Sequence, residues 1–213
     1  MQTTDIDLEK YAEDFTTDES PLLQKLYRET NLKILYPQML SGKLQGSLLK
    51  MISKMIRPEK ILEIGTFTGY SAICLSEGLA ANGVLHTIEV NPELEEMIRR
   101  YFAEAGIYDK VKLHIGNALD IVPTLDDTFD LVFIDADKEN YLNYFKMIFD
   151  KVRKGGFILA DNVLWGGKVL KKTPSSDTES NGIKEFNEFV KNDERVENVL
   201  LPIRDGLMII RKR

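Results

Sequence analysis

An α/β fold built on a doubly wound, mostly parallel, seven-stranded sheet is predicted by three observations. From residue 59 onward, short apolar runs alternate with amphipathic ones, the pattern of βαβ units. The last two apolar runs are separated only by Arg204-Asp205-Gly206, too short for a crossover helix, so the last strand is expected to close an antiparallel hairpin. Before residue 58 the pattern is helical.

The elements follow in order. A polar start leads into YAEDF. In SPLLQKLYRETNLKIL, Ser20 is placed to cap and Pro21 to occupy the first helical position, with apolar residues at helical spacing behind them. LQGSLLKMISKMI is amphipathic and ends at Arg57-Pro58, because a residue before proline disfavours helical backbone. KILEI is the first strand and GYSAICLSEGLA its helix. VLHTIEV is the second, and Pro92 opens the helix PELEEMIRRYFAEAG. VKLHIG is the third, followed by the short turn ALDIVPTL. FDLVFID is the fourth, followed by the helix KENYLNYFKMIFDKV. GGFILADN is the fifth. A polar loop from Leu164 to about Ser180 leads to the helix IKEFNEFVKN and the strands RVENVLLPI and GLMIIRK. The division is thus amino-terminal helices over 1–57 and an α/β core over 58–213, within a single domain.

The 213 residues are 43% hydrophobic and 29% charged, as in ordinary globular proteins. No run approaches the roughly 20 apolar residues of a membrane span. The polar, acidic MQTTDIDLEKYAEDF lacks the parts of a secretory signal, so a cytoplasmic location is expected. The lone Cys74 agrees with a reducing compartment and reads as a packed small hydrophobe. A net charge of −6, with basic runs only at Lys168–Lys172 and the terminal RKR, argues against a large nucleic-acid footprint. An RNA gripped by a small local patch stays open.

Ligands of such sheets bind beyond the carboxyl ends of the strands. The first strand ends in Glu63-Ile64-Gly65-Thr66-Phe67-Thr68-Gly69, where the glycines allow a tight turn and a close ligand approach. This is not the G-x-G-x-x-G of dinucleotide folds, and Glu63 would repel a pyrophosphate. An ammonium or sulfonium ligand would instead be attracted. Ser71 opens the next helix and can meet a ligand carboxylate. Glu89 ends the second strand, where an acid can accept both hydroxyls of a ribose. Each residue alone has a plain reading as a turn or a surface acid. Together they favour S-adenosylmethionine over NAD.

Asp135 ends the fourth strand, and Asp161-Asn162 ends the fifth. Parallel strands present these ends on one edge, so three oxygen ligands can converge. Such hard donors suit Mg²⁺, with Mn²⁺ or Ca²⁺ as alternatives; His86 and His114 lie elsewhere, which argues against zinc. A bound cation lowers the pKa of a hydroxyl and offsets developing alkoxide charge. Lys138, three residues past Asp135, can face the same cleft. Beside a dication and a sulfonium it is expected to lose its proton readily and to accept one from a hydroxyl. Trp165 is a candidate for stacking on an aromatic substrate, against a plainer role as a packing anchor; Lys168, Lys171 and Lys172 can meet a phosphate or simply be solvated. Tyr141 and Tyr144 read as packing residues.

ILEIGTFTGYSA, TIEVNPE, FIDADKENY and LADNVLWGG, in this order and spacing, resemble the divalent-metal-dependent O-methyltransferases of the catechol and caffeoyl-coenzyme A type, from about Leu40 to the C-terminus. MLSGKLQG is similar to the family's lid over the cofactor. The resemblance implies a class I methyltransferase, Rossmann-like fold and transfer of a methyl group from S-adenosylmethionine to a hydroxyl oxygen of a catechol-type small aromatic. It implies cofactor contacts from Ser41, Glu63, Gly65, Thr66, Ser71, Glu89, Ala118 and Asp135, with Asp137 at the amino group of the methionine part. It implies metal ligation by Asp135, Asp161 and Asn162, with Asp135 and Lys138 in the catalytic centre and Lys138 as the base. It also implies a homodimer whose amino-terminal helices shape the substrate mouth. DADK follows the bacterial and plant pattern, so the substrate is not copied from the animal catechol enzyme. Some bacterial relatives suggest an alternative acceptor, 5-hydroxyuridine in transfer RNA, which predicts a basic surface around the cleft. An NAD-dependent oxidoreductase is opposed by the missing fingerprint.

Overall fold

Among the described residues three α-helices precede the first strand: α1 (Asp5–Asp14), α2 (Pro21–Lys33) and α3 (Gly42–Ile56). The structure, a computed structural model, describes residues 5–213, so the first four residues of the polar amino-terminal sequence lie outside it. Ser20 caps α2 by accepting the Leu23 N–H, with Pro21 at the first turn as the sequence indicates. Arg57 ends α3 in a left-handed conformation and turns the chain into Pro58.

The α/β part runs β1 (Lys60–Ile64), α4 (Tyr70–Ser76), β2 (Val84–Glu89), α5 (Glu95–Glu104), β3 (Val111–Ile115), α6 (Ala118–Ile121), β4 (Phe129–Ile134), α7 (Tyr141–Phe149), β5 (Val152–Ala160), α8 (Thr178–Asn192), β6 (Val196–Leu201) and β7 (Leu207–Lys212). The seven strands lie in the order β3-β2-β1-β4-β5-β7-β6. The first five are parallel, and β7 is antiparallel to both β5 and β6. The hairpin thus forms as expected, but its second strand is the one inserted next to β5. Leu207, Met208 and Ile210 of β7 are buried, whereas Glu197, Asn198 and Val199 of β6 are exposed. The strand whose apolar side chains are buried takes the interior place, and the one with the exposed middle lies at the edge.

Several boundaries differ from the sequence reading: α4 ends at Ser76 rather than Ala80, and α7 begins at Tyr141 rather than Lys138. β5 starts at Val152, where a helix was expected to continue. Its register shifts between Phe129 and Leu131 of β4, so the Gly155-Gly156 pair sits in an irregular stretch rather than at a strand start. Helix α8 starts five residues before Ile183, because Asp177 caps it through the Ser180 N–H.

Both sheet faces are buried. Leu62, Ile64, Val132, Ile134 and Ile158 pack with α7 and α8 on one face. Ile61, Leu131, Phe133 and Leu159 pack on the other with α4, α5 and with Leu26 and Leu49 of α2 and α3. Apolar burial on both faces is what near-continuous hydrophobic parallel strands require. No helix among the described residues is long and apolar enough to cross a membrane.

Ile64, Ile134 and Ala160 lie side by side across β1, β4 and β5. Residues 65, 135 and 161 therefore leave the sheet together at its carboxyl edge.

Candidate active site

A cavity of about 700 Å³ opens at that edge. Its wall includes Ser41, Gly65, Thr66, Ser71, Glu89, Ala118, Asp135, Asp137, Lys138, Asp161 and Asn162. Every expected cofactor, metal and base residue is thus brought to one cavity except Glu63, which lies behind it in β1.

Glu63 is fully buried. Its Oε2 accepts a 2.5 Å bond from the Thr87 hydroxyl, itself 2.5 Å from that of Thr66, while Oε1 has no partner among the described residues. Burial pushes the carboxyl up to about 8, against the pull of the Ser71 and Thr87 hydroxyls. A buried carboxyl with one unmatched oxygen is suited to a cationic ligand group. Glu89 is held differently. Backbone amides of Phe67 and Asn91 donate to its two oxygens at 2.7 and 2.8 Å. Burial raises its pKa despite these bonds. Each oxygen keeps a lone pair for a further donor, as recognition of a diol needs.

Gly65 has φ +100°, and an added Cβ would lie 1.8 Å from the Asp135 carbonyl oxygen. Only glycine fits there. The turn after β1 therefore stacks directly on the end of β4, and Asp135 N–H donates to the Ile64 carbonyl at 2.9 Å.

On the β4–β5 side the polar groups form one chain. Lys138, 6% exposed, donates to Asp135 Oδ1 at 3.0 Å and to the Tyr141 hydroxyl at 2.7 Å. Tyr141 in turn donates to the Asp161 carbonyl at 2.9 Å. Burial holds the Tyr141 phenol well above its ordinary pKa, so it stays neutral and keeps its proton for this bond. The Asp161 carboxyl, 3% exposed, accepts from Asn162 N–H at 2.8 Å and from Gln45 Nε2 at 2.6 Å. Burial, and Asp135 close by, hold its pKa well above the carboxylate range. Two acids crowded in a buried cleft gain most from a cation between them. Among the described residues no three His, Cys, Asp or Glu side chains cluster as a metal site. A divalent ion here would rest on Asp135, Asp161 and the Asn162 amide, a hard oxygen set suited to Mg²⁺ and open to further oxygen ligands.

Sequence reasoning missed several of these residues. Tyr141 and Tyr144 pack, but also carry the site: Tyr144 donates to Asp137, which Asn140 contacts as well. Gln45, within the expected lid segment MLSGKLQG, is buried at 2% and had no role of its own in the sequence reading. Its signal was available, since 45, 49, 52 and 53 share one helical face. Arg204, read only as a link, donates to Gln45 Oε1 at 3.0 Å and to the Ser41 carbonyl. Trp165 lines the cavity and packs on the core, with Lys138 5.8 Å from its ring centroid. His86 and His114 pair with each other at 3.2 Å, outside the cavity wall.

Comparison with known proteins adds independent findings. A family model described as O-methyltransferase matches residues 13–213. Caffeoyl-CoA O-methyltransferase 1 of Eucalyptus globulus is 33% identical over 203 residues, covering 90% of this chain and 82% of the relative. The structure of the O-methyltransferase TomG from Streptomyces achromogenes, solved with SAM, is similar at a TM-score of 0.87 and 31% identity, covering 96% of this chain and 95% of that one. An O-methyltransferase from Bacillus cereus in complex with SAH gives a TM-score of 0.89 at 29% identity, with 97% of each chain covered.

Proposed function

We propose a function from one established premise: this chain belongs to the O-methyltransferase family. It is an S-adenosylmethionine-dependent O-methyltransferase. Its acceptor, in our reading, is a small aromatic bearing vicinal hydroxyls, and its cofactor set includes a divalent cation, Mg²⁺ first. The observation that carries this reading is the convergence of Asp135, Asp161, Asn162 and Lys138 on the same cavity as Glu89 and Gly65.

The roles follow from the contacts. Asp137 would meet the positive charge of the methionine part, with Glu63 reinforcing it from behind the wall, and Glu89 the ribose hydroxyls. Ser41, Thr66, Ser71 and Ala118 would complete the cofactor wall. Asp135, Asp161 and Asn162 would hold the cation, which when bound supplies Lewis-acid activation of the acceptor hydroxyl. Lys138 Nζ would take the hydroxyl proton. Asp135 Oδ1 and the Tyr141 oxygen, its present acceptors, would steady the resulting ammonium. Trp165 and Met39, on the cavity wall, offer apolar surface for an aromatic ring. The transfer-RNA alternative called for a basic rim. The wall instead carries Asp137, Glu139 and Glu179 beside Lys138 and Arg204, which disfavours a polyanion.

The test is a methyl-transfer assay on caffeic-type catechols with Mg²⁺ and with chelator, alongside calorimetric titration of S-adenosylhomocysteine. Chelator-sensitive transfer is the expected result. Cofactor binding with transfer that survives chelation would remove the metal, and binding without any transfer would remove the catechol acceptor.

A further inference from the structure

We propose that Gln45 and Arg204 form a brace that orients the Asp161 carboxylate, making Gln45 a positioning residue of the metal centre. The inference rests on the reading of Asp161 as a metal ligand.

Three segments far apart in the chain meet at the Gln45 amide. Its Nε2 donates to Asp161 Oδ2 at 2.6 Å across 116 positions, and its Oε1 accepts from Arg204 Nη1 at 3.0 Å across 159. The orientation of the amide is fixed by chemistry. A guanidinium carries only donors, so the amide oxygen must face Arg204. An ionised carboxylate carries only acceptors, so the NH₂ must face Asp161. Positive charge at one end and negative at the other strengthen both bonds, most at the buried Asp161 end.

Arg204 is itself held in place. It sits in the β6–β7 hairpin with φ +49°, a conformation that persists where surroundings enforce it. They do so here: Leu164 N–H donates to the Asp205 carbonyl at 2.9 Å, Val163 N–H to the Gly206 carbonyl at 3.1 Å, and Gly166 N–H to Asp205 Oδ1 at 2.6 Å. The hairpin is thereby tied to the segment that directly follows Asp161 and Asn162. Arg204 also donates to the Ser41 carbonyl, at the entry to α3. The brace thus fixes one carboxylate oxygen and leaves the cation to find the group already aimed.

The experiment titrates Mn²⁺ alone into the protein saturated with S-adenosylhomocysteine, for wild type, Gln45→Leu, Arg204→Ala, Arg204→Lys and Asp161→Asn. Gln45→Leu should weaken Mn²⁺ by about 10–100-fold, the usual cost of losing a group that orients a metal ligand. Its S-adenosylhomocysteine affinity should stay essentially that of wild type, and kcat should fall more than the acceptor KM rises. Arg204→Ala should show a smaller loss, partly recovered by Arg204→Lys. If Gln45→Leu fails to fold, the Arg204 pair carries the test, since that side chain is exposed. Wild-type Mn²⁺ affinity in the folded Gln45→Leu and Arg204→Ala variants, with Asp161→Asn impaired, would overturn the brace and keep the metal centre. A lowered melting temperature with unchanged Mn²⁺ affinity would reduce Gln45 to a packing role and overturn it equally. Wild type that binds S-adenosylhomocysteine but no Mn²⁺ would overturn the metal reading, and the brace with it.

Discussion

The two halves of the cavity hold the acids on its wall by different means. On the β1–β2 side Glu89 is gripped by backbone amides from Phe67 and Asn91, within two residues of it or across the neighbouring turn. On the β4–β5 side Asp161 and Asp135 are gripped mainly by side chains: Gln45 from α3, Lys138 from the segment before α7, with Tyr141 beneath them. Backbone donors come with the fold. Side-chain donors depend on distant segments arriving in register. The first half is therefore built for a constant ligand, and the second is open to tuning by single substitutions.

Substitutions can break this contrast in order of their expected effect. Asp161→Ala should abolish chelator-sensitive methyl transfer while calorimetry still finds S-adenosylhomocysteine bound; a fully active variant would remove Asp161 from the metal centre. Lys138→Ala should lower kcat by about 10²–10⁴-fold if its Nζ receives the hydroxyl proton. Single-turnover rates check this, and a rate close to wild type would leave Lys138 as a structural ion pair. Glu89→Ala should weaken S-adenosylhomocysteine by about 10–100-fold, the worth of a charged hydrogen bond or two, with the circular-dichroism spectrum unchanged. Unaltered affinity would take Glu89 out of the ribose site.

The smallest effect concerns stability, and it lies outside both halves. Burial lowers the His86 pKa to about 4, with Asp127 opposing and His114, Lys112 and Lys60 assisting. His114 is lowered too, again by burial. Between pH 6.5 and 4 the unfolded chain therefore binds a proton at position 86 that the folded chain refuses. His86 thus takes away about 2 kcal/mol of stability between pH 7.5 and 5, while the raised Glu63 and Asp161 carboxyls, which the folded chain protonates first, act in the opposite direction. The difference between wild-type and His86→Gln urea midpoints at those two pH values isolates it: the variant should gain on wild type as pH falls, and parallel curves would remove the effect.

The same contrast explains what was legible in the sequence. Strand ends are local features, so Glu63, Glu89, Asp135 and Asp161 could be placed from apolar runs followed by acids, and the parallel sheet brings them to one edge. The insertion of β7 next to β5 was not legible, because a short link specifies a hairpin but not which of its strands joins the sheet. Gln45, Tyr141 and Arg204 escaped for another reason. Their roles are pairwise contacts spanning from 3 to 159 positions, and polar residues in amphipathic helices are ordinarily assigned to solvent. Tyr144 was assigned to packing, which is half of what it does.

Gly65 joins the two halves. No side chain separates the cofactor turn from the end of β4, and a single methyl group there would strike the Asp135 carbonyl. In a saturation library this position should therefore tolerate a single letter. The spacing between the methyl donor's turn and the acid beside the acceptor is then a property of main-chain stacking. Neither can be moved without moving the other, whereas the outer wall, with residues such as Met39 and Trp165, carries no such constraint.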